Sequence, residues 1–277
     1  MLEVSRDGAY HVRMTSNPRD MAVPAMALQV KDLRVSYGAT LAVDDLALNV
    51  RKGEIFGLLG PNGAGKTSAL SAIEGLLQPD GGAITIGDVD ARAHPLRGKA
   101  QLGVQLQSTS FHSDLTLLEI IRLFSGLYGV SLTAEQMRDR LSEIELQAEA
   151  GKRFRELSGG QQQRFSLLIA TIHNPPLLLL DEPTAGLDPQ ARRQLWDRIA
   201  GSRKEGRSIL LTTHSMEEAQ AVCDRVAIMD HGKVLTVDTP ARLIETHRDD
   251  PRVREVARGE VTLEDVFIGL TGRGLRD

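Results

Sequence analysis

The stretch GPNGAGKT, residues 60–67, decides the fold of this chain. It matches the pattern G-x-x-x-x-G-K-[ST], whose glycines let backbone N–H groups curl around a β-phosphate. The apolar segment at 53–60 predicts a buried strand that leads into the loop, and a helix is predicted from Lys66 to about Leu77. A strand, a glycine-rich loop and a helix in this order favour an anion at the helix N-terminus. The stretch therefore predicts a nucleotide-binding α/β domain.

Two side chains of this loop carry the charge and the metal chemistry that a nucleotide needs. Lys66 can reach the β- and γ-phosphate oxygens, and the hydroxyl of Thr67 is a hard oxygen ligand that suits Mg²⁺. We therefore expect ATP and Mg²⁺ to bind at this loop.

The segment LLLLDEP, residues 177–183, supplies the second half of the predicted site. An apolar strand delivers Asp181 and Glu182 to the carboxyl edge of the sheet, where ligands bind in open α/β folds. We expect Asp181 to hold Mg²⁺ and Glu182 to orient the attacking water, because phosphoryl transfer depends on positioning more than on covalent chemistry. An acidic pair at a strand end is usually a solvated terminus, so this prediction depends on the phosphate loop upstream.

The rest of the chain alternates between strand and helix signals. Residues 28–38 and 46–50 alternate as antiparallel strands do, and apolar residues at helical spacing from 116 to 147 predict an inserted helical subdomain. The later strands alternate with helices, which predicts a mostly parallel sheet covered on both faces. The predicted fold class is α/β: a P-loop NTPase with a mostly parallel core sheet, an antiparallel β lobe and an inserted helical subdomain.

The expected organisation along the chain has three parts. They are a flexible N-terminal extension at 1–27, the ATPase domain at 28–240 with its helical subdomain at about 108–158, and a small tail at 241–277. Beyond Asp238 we expect one short helix, a charged loop at 246–258 and a last helix, which opens at the cap-like TLED of residues 262–265.

Composition and charge narrow the classes of function. The 33 basic and 37 acidic residues give a formal charge of −4, which argues against a dedicated nucleic-acid binder, since those usually show a basic balance. A single cysteine excludes a disulfide framework and a cysteine-built zinc site within one chain. Apolar runs such as 175–180 are far shorter than the roughly 20 residues of a membrane-spanning helix. These features favour a cytosolic enzyme.

A second glycine-rich loop lies in the stretch LSGGQQQRFSLLIA, residues 157–170, and opens a helix predicted over 159–173. Glycines at a helix N-terminus suit an anion, yet no lysine follows within a turn. This loop is therefore a candidate anion site that is not equipped to hold a nucleotide alone.

With these motifs, residues 28–240 resemble the nucleotide-binding subunit of ATP-binding cassette (ABC) transporters. LSGGQQQR is similar to that family's signature loop, and AGLD at 185–188 is similar to the loop that couples the family's two ATP sites. His214, in TTHSMEEA, stands where the family has its switch histidine, which contacts the γ-phosphate. Tyr37, in VSYG, stands where the family has the aromatic ring that stacks on adenine.

The resemblance also implies a glutamine loop at the end of the strand LGVQLQ. Gln105 and Gln107 are both candidates, and we choose Gln107 because the family glutamine closes the strand before the helical subdomain. The catalytic residues that the resemblance implies are Glu182, His214, Gln107 and Asp188. The implied metal ligands are Thr67, Gln107 and Asp181.

The nucleotide contacts that the resemblance implies come from the adenine-stacking ring, the phosphate loop and the signature loop. They are Tyr37, Gly60, Pro61, Asn62, Gly63, Ala64, Gly65, Lys66, Thr67, Ser68, Ser158, Gly159, Gly160 and Gln161. In this family two subunits dock head to tail, so the signature loop of one caps the γ-phosphate that the other holds. The implied partners are therefore ATP, a second copy of the chain and an integral membrane permease, with no nucleic acid, at the cytoplasmic face of the membrane.

The C-terminal segment TLEDVFIGLTGRGLRD, residues 262–277, resembles the ending of bacterial export ATPases of the daunorubicin-resistance type. Export of a drug-like, lipid or polysaccharide substrate through a separate membrane subunit is therefore the expected function. Two alternatives stay open. One is a soluble ABC ATPase for cofactor or iron–sulfur cluster assembly, and the other is the ATPase subunit of an importer, which shares every catalytic motif.

Overall fold

The computed structural model describes residues 25–105 and 111–272, which form two sheets with helices on their faces. The strands are β1 (Met26–Tyr37), β2 (Thr40–Arg51), β3 (Ile55–Leu59), β4 (Gly81–Ile86), β5 (Val89–Asp90), β6 (Leu102–Gln105), β7 (Leu177–Asp181), β8 (Ser208–Thr213), β9 (Arg225–Asp230) and β10 (Lys233–Asp238). The helices are α1 (Lys66–Ile73), α2 (Pro95–Lys99), α3 (Leu117–Leu127), α4 (Ala134–Glu143), α5 (Gly159–Thr171), α6 (Pro189–Lys204), α7 (Met216–Val222), α8 (Pro240–His247), α9 (Pro251–Val256) and α10 (Leu263–Thr271).

The larger sheet of the described residues has the strand order β10-β9-β3-β8-β7-β6. Neighbours from β9 to β6 are parallel, and β10 pairs antiparallel with β9 at the edge. Every residue of β3, β7 and β8 is buried, as expected for parallel strands that are covered on both faces. Because β8 lies between β3 and β7, the carboxyl ends of these three strands meet at one edge, and this edge carries the candidate site.

The predicted β lobe is the second sheet, ordered β2-β1-β4-β5, and it is antiparallel. Its inward side chains, among them Leu33, Val43 and Leu46, are fully buried in one cluster with α1 and with Phe56 of β3. Each fully buried leucine of this kind stabilises the fold by about 2 kcal/mol. The lobe therefore holds the start of α1 against the main sheet.

The predicted helical subdomain has its own core, built by α3, α4 and α5. Helix α3 begins at a capping box, in which Thr116 and Glu119 each accept a hydrogen bond from the other's backbone N–H. Its buried residues Leu117 and Ile121 share a cluster with Phe165 of α5. The core of the subdomain therefore includes α5, which lies beyond the predicted boundary near residue 158.

The N-terminal and helix boundaries differ slightly from the prediction. Strand β1 begins at Met26, so the last two residues of the expected extension at 1–27 are part of the lobe, and residues 1–24 lie outside the described residues. Helix α1 ends at Ile73 rather than near Leu77, because the chain turns at Gly75.

The prediction of a charged loop at 246–258 is wrong, because helix α9 lies within this range. Asp250 caps this helix by accepting the backbone N–H of Arg252 at 2.9 Å. Val253 is fully buried and shares a cluster with Phe267 of α10 and with the residues of β7 and β8 that face it. The tail therefore packs as part of the main core. Because the residues around Val253 are mostly charged, this single apolar residue gives no periodic pattern from which a helix could be predicted.

Candidate nucleotide site

The loop between β3 and α1 is shaped by two glycines at positions that have no room for a side chain. A Cβ on Gly60 would lie 2.5 Å from the carbonyl oxygen of Met229, and one on Gly65 would lie 2.3 Å from that of Ala42. Gly65 also has a φ of 101°, which glycine adopts without strain. Strands β9 and β2 therefore hold the loop in a tight curl, as a phosphate-binding loop requires.

Lys66 lies inside this loop and is only 7% exposed. Its Nζ donates hydrogen bonds to the carbonyl oxygens of Gly60 at 2.7 Å and Pro61 at 3.0 Å. Burial lowers the pKa of Lys66, while the negative charges of Glu182 and Asp181 act to raise that pKa. An anion in the loop would favour the charged ammonium, so the side chain suits phosphate binding.

Asp181 is the last residue of β7 and Glu182 follows it, and both are tied to β8 through one hydroxyl group. Thr212 Oγ1 donates a hydrogen bond to Asp181 Oδ1 at 2.5 Å, and it accepts one from the backbone N–H of Glu182 at 2.9 Å. Burial raises the pKa of Asp181, and the charge of Glu182 adds to this rise. Because a buried negative charge is stabilised by a nearby cation, Asp181 suits a role as a metal ligand.

Glu182 and His214 form a pair at the same edge. Glu182 Oε2 lies 3.3 Å from Nδ1 of His214, whose ring is about half exposed. Glu182 has a φ of 46°, in the left-handed region that non-glycine residues adopt at a cost of about 1–3 kcal/mol. The structure therefore brings together the acid and the histidine that the sequence places 32 positions apart.

The glutamines after the signature glycines anchor the N-terminus of α5. Ser158 Oγ accepts the backbone N–H of Gln161 at 3.4 Å, and Gln161 Oε1 accepts that of Ser158 at 2.9 Å, which makes a capping box. Gln162 donates to two carbonyl oxygens of the preceding turn, at 3.2 and 3.3 Å. The third glutamine, Gln163, accepts a hydrogen bond from Gln105. Ser158 itself is exposed, so this capped helix end faces solvent.

Two further site candidates among the described residues, Tyr37 and Asp188, stand at the ends of elements. Tyr37 ends β1 with 53% of its surface exposed, so its ring is accessible for stacking. Asp188 caps α6, because its Oδ1 accepts the backbone N–H groups of Gln190 and Ala191 at 2.9 Å each. Gln107 lies outside the described residues, and the alternative, Gln105, is fully buried at the end of β6.

Sequence reasoning missed three residues that adjoin the site: Thr212, Glu218 and Glu74. Thr212 lies in the strand that leads to the histidine, where alternation predicts that one of two threonines points to the same face of the sheet as Asp181. Glu74 follows Lys66 by eight residues, and a spacing of eight places both on one helix face. No local signal separates Glu218 from its neighbour Glu217.

Glu74 is buried near the site, with 4% of its surface exposed. Within the described residues, neither of its carboxylate oxygens has a hydrogen-bond partner. Burial, together with the negative charge of Asp181, raises the pKa of Glu74 to about 7. The folded protein therefore holds a proton on Glu74 at a pH at which the unfolded chain has released it.

Glu74→Gln is expected to stabilise the protein at pH 8 and to change little at pH 5. Between an unfolded pKa near 4.5 and a folded pKa of about 7, the folded state binds more protons, so wild-type stability falls as the pH rises. The whole shift corresponds to about 3 kcal/mol of unfolding free energy. Thermal melts of both proteins at pH 5 and pH 8 measure the difference. The exposed Glu245→Gln is the control, and equal pH dependence of Glu74→Gln and wild type would contradict the assignment.

Tyr37→Ala is expected to weaken ATP binding by about 1–3 kcal/mol, the range for stacking of a base on an aromatic ring. Titration calorimetry measures the affinity, and Tyr37→Phe should bind as the wild type does because it keeps the ring. Tripolyphosphate has no base, so all three proteins should bind it equally. Unchanged ATP affinity in Tyr37→Ala would assign the ring to the packing of the β lobe instead.

The chain is similar to a protein-family model, to related proteins and to a solved structure. Residues 43–185 match the family model described as ABC transporter. Nod factor export ATP-binding protein I from Ralstonia nicotianae is 39% identical, with 90% of this chain and 95% of that protein covered. The protein of the same name from Cupriavidus metallidurans is 38% identical, with 90% and 99% covered. A solved structure of an ATP-binding subunit of an ABC transporter is 30% identical and superposes with a TM-score of 0.77, covering 88% of this chain and 99% of its own.

Proposed function

This chain belongs to the ABC transporter family and is an ATP-binding subunit that couples ATP hydrolysis to transport, and we propose that it energises export through a separate membrane subunit. The observation that carries the export direction is the similarity to two export ATP-binding proteins, each of which covers 90% of this chain. The proposed cargo is a drug-like, lipid or polysaccharide molecule that the membrane subunit selects.

In the proposed site, the loop at 60–65 and Lys66 hold the phosphates of ATP through backbone N–H groups and one ammonium. The proposed ligands for Mg²⁺ are Thr67, Asp181 and Gln107. Their hydroxyl, carboxylate and amide oxygens are hard ligands of the type that Mg²⁺ prefers. When bound, the ion neutralises phosphate charge and orients the terminal phosphate.

The proposed roles of Glu182 and His214 follow from their 3.3 Å contact. Glu182 orients the attacking water and accepts a proton from it. His214 orients the carboxylate of Glu182 and contacts the γ-phosphate. The hydrogen bond from the backbone N–H of Glu182 to Thr212 Oγ1 fixes the backbone from which the Glu182 side chain extends.

We propose that the signature loop serves the nucleotide of a second copy of the chain. The exposed residues Ser158 and Gly159 stand at the capped N-terminus of α5, which suits a phosphate presented from outside. In the proposed head-to-tail dimer, ATP lies between the Lys66 loop of one copy and the Ser158 loop of the other. Asp188, at the start of α6, is proposed to couple the two sites.

The proposed docking surface for the membrane subunit is a groove of about 690 Å³ lined by the turn after α1 and by α2, β6, α3 and α5. Four large apolar side chains that line it, Leu76, Leu96, Leu127 and Tyr128, are exposed. Exposed apolar groups gathered on one surface favour a protein partner. Across residues 25–105 and 111–272, no helix has both the length and the apolar character to cross a bilayer. We propose that the chain lies at the cytoplasmic face of the membrane through this partner.

If the neighbouring reading frame encodes a six-helix membrane protein, coexpression with that protein tests the proposed function. We expect the chain to sediment with membranes and to drive ATP-dependent efflux. The double variant Leu96→Arg and Leu127→Arg should stay in the supernatant and still bind ATP, whereas Leu235→Arg, at an exposed position on β10, should sediment as the wild type does. Absence of membrane association would favour an assembly ATPase, and a requirement for a solute-binding protein would favour an importer.

A further inference from the structure

The carboxylate of Glu218 is buried where three elements beside the site meet. It lies in α7 and is 7% exposed. Its Oε2 accepts hydrogen bonds from Thr184 Oγ1 at 2.8 Å and from Thr213 Oγ1 at 3.2 Å, and its Oε1 lies 3.2 Å from Nε of Arg192. These partners belong to the turn after β7, the end of β8 and the start of α6, so one side chain connects three elements.

Two of these partners adjoin the proposed catalytic pair. Thr184 follows Glu182 by two residues, in a turn closed by a 3.1 Å hydrogen bond from the backbone N–H of Ala185 to the carbonyl oxygen of Glu182. Thr213 immediately precedes His214. A single carboxylate oxygen therefore joins the two backbone segments that carry the acid and the histidine.

The end of β8 is held from both of its faces. Thr212 and Thr213 are consecutive in the strand, so their side chains point to opposite faces. The Thr212 hydroxyl contacts Asp181 and the backbone of Glu182, and the Thr213 hydroxyl contacts Glu218. The strand that leads to the histidine is thus clamped by two independent sets of hydrogen bonds.

The charge of Glu218 is balanced by Arg192. The contact is electrostatic, because within the described residues the Arg192 Nε–H makes no hydrogen bond of good geometry despite the 3.2 Å distance. Arg192 lies in the first turns of α6, the helix that Asp188 caps. The ion pair therefore extends the connection to the loop at 185–188.

We propose that Glu218 is a positioning residue for hydrolysis, which holds Glu182 and His214 at their working separation and links both to α6. It acts through Thr184 and Thr213 and contacts neither ATP nor the attacking water. The inference rests on the proposed roles of Glu182 and His214. It predicts that the loss of Glu218 lowers the rate of hydrolysis and leaves ATP binding intact.

Steady-state ATPase kinetics of Glu218→Ala, Glu218→Gln and Glu217→Ala test this proposal. For Glu218→Ala we expect kcat to fall about tenfold or more, with the KM for ATP within about twofold of wild type. Glu218→Gln should retain more activity, because its carbonyl oxygen can still accept both threonine hydrogen bonds although the charge opposite Arg192 is lost. Glu217 is the adjacent glutamate and is exposed, so Glu217→Ala should behave as the wild type does.

Two further measurements separate positioning from general damage to the fold. In the Glu182→Gln background, Glu218→Ala should cause a smaller loss of rate than it causes in the wild type, because part of its effect is exerted through Glu182. If Glu218→Ala does not fold, the nearly isosteric Thr184→Val removes one of the two hydrogen bonds and should lower kcat without raising KM. A folded Glu218→Ala with wild-type kcat, or a loss confined to KM, would overturn the proposal. Normal turnover in Glu182→Gln would instead overturn the proposed site.

Discussion

Glu182→Gln is expected to lower ATP hydrolysis about a thousandfold, within the range for loss of a positioned proton acceptor, while ATP binding stays near normal. The amide cannot take a proton from water, but it keeps the shape of the side chain beside His214 and the backbone bond to Thr212. In the proposed site, ATP binding depends on Lys66 and the phosphate loop, which the substitution does not alter. The variant should therefore accumulate with ATP bound.

Size-exclusion chromatography with MgATP, run beside steady-state ATPase assays, measures this outcome. We expect Glu182→Gln to elute as a dimer with ATP and as a monomer without it. Glu217→Gln is the matched control, since it makes the same chemical change at an exposed glutamate, and it should hydrolyse ATP normally. Near-normal turnover in Glu182→Gln would refute the catalytic assignment.

Two variants that should each be inactive alone, Lys66→Ala and Ser158→Asp, are expected to restore ATP occlusion when their subunits are mixed. Each homodimer carries a defect in both sites. In a mixed dimer one site has both defects, and the other pairs an intact phosphate loop with an intact signature loop. Random mixing makes about half of the dimers mixed, with one intact site each, so occlusion should recover to about a quarter of the wild-type value.

The choice of aspartate at position 158 follows from the structure. Ser158 caps α5 by accepting the backbone N–H of Gln161, and aspartate is an equally good cap. Its negative charge would repel a phosphate while α5 stays intact. Retention of labelled ATP after rapid gel filtration is the measurement. Mixed dimers that occlude no ATP would contradict the arrangement in which one subunit completes the site of the other.

The phosphate loop and the acidic strand end were predictable because the conformation of each depends on residues that are adjacent in the sequence. The shape of the 60–67 loop depends on which positions are glycine, and a buried run such as 177–181 indicates a central strand wherever it lies in the chain. The structure adds the curl of the loop around Lys66 and the contact between Glu182 and His214. The chemical roles of these residues stay predictions until the variants are measured.

The residues that sequence reasoning missed depend on contacts between distant segments. Glu217 and Glu218 are adjacent and chemically identical, yet only Glu218 is buried, because the turn after β7 and the start of α6 close over it. Helix α9 was missed for a similar reason, since one buried valine among charged residues leaves no periodic pattern. Local sequence patterns were therefore enough to predict the motifs. The residues that pack against those motifs are set by contacts between distant segments, which local patterns do not show.

The central position of β3 has a consequence for synthesis of the chain on the ribosome. Residues 55–59 pair on one side with residues 209–213, and residues 56–59 pair on the other side with residues 225–228. More than 150 residues must therefore follow β3 before both neighbours exist. At roughly 5–20 residues per second, that interval lasts about 10–30 s. The phosphate loop that β3 carries is translated early but gains its flanking strands late. A nascent chain therefore acquires its nucleotide pocket only after most of the polypeptide has been made, and until then its apolar strand β3 lacks both neighbouring strands.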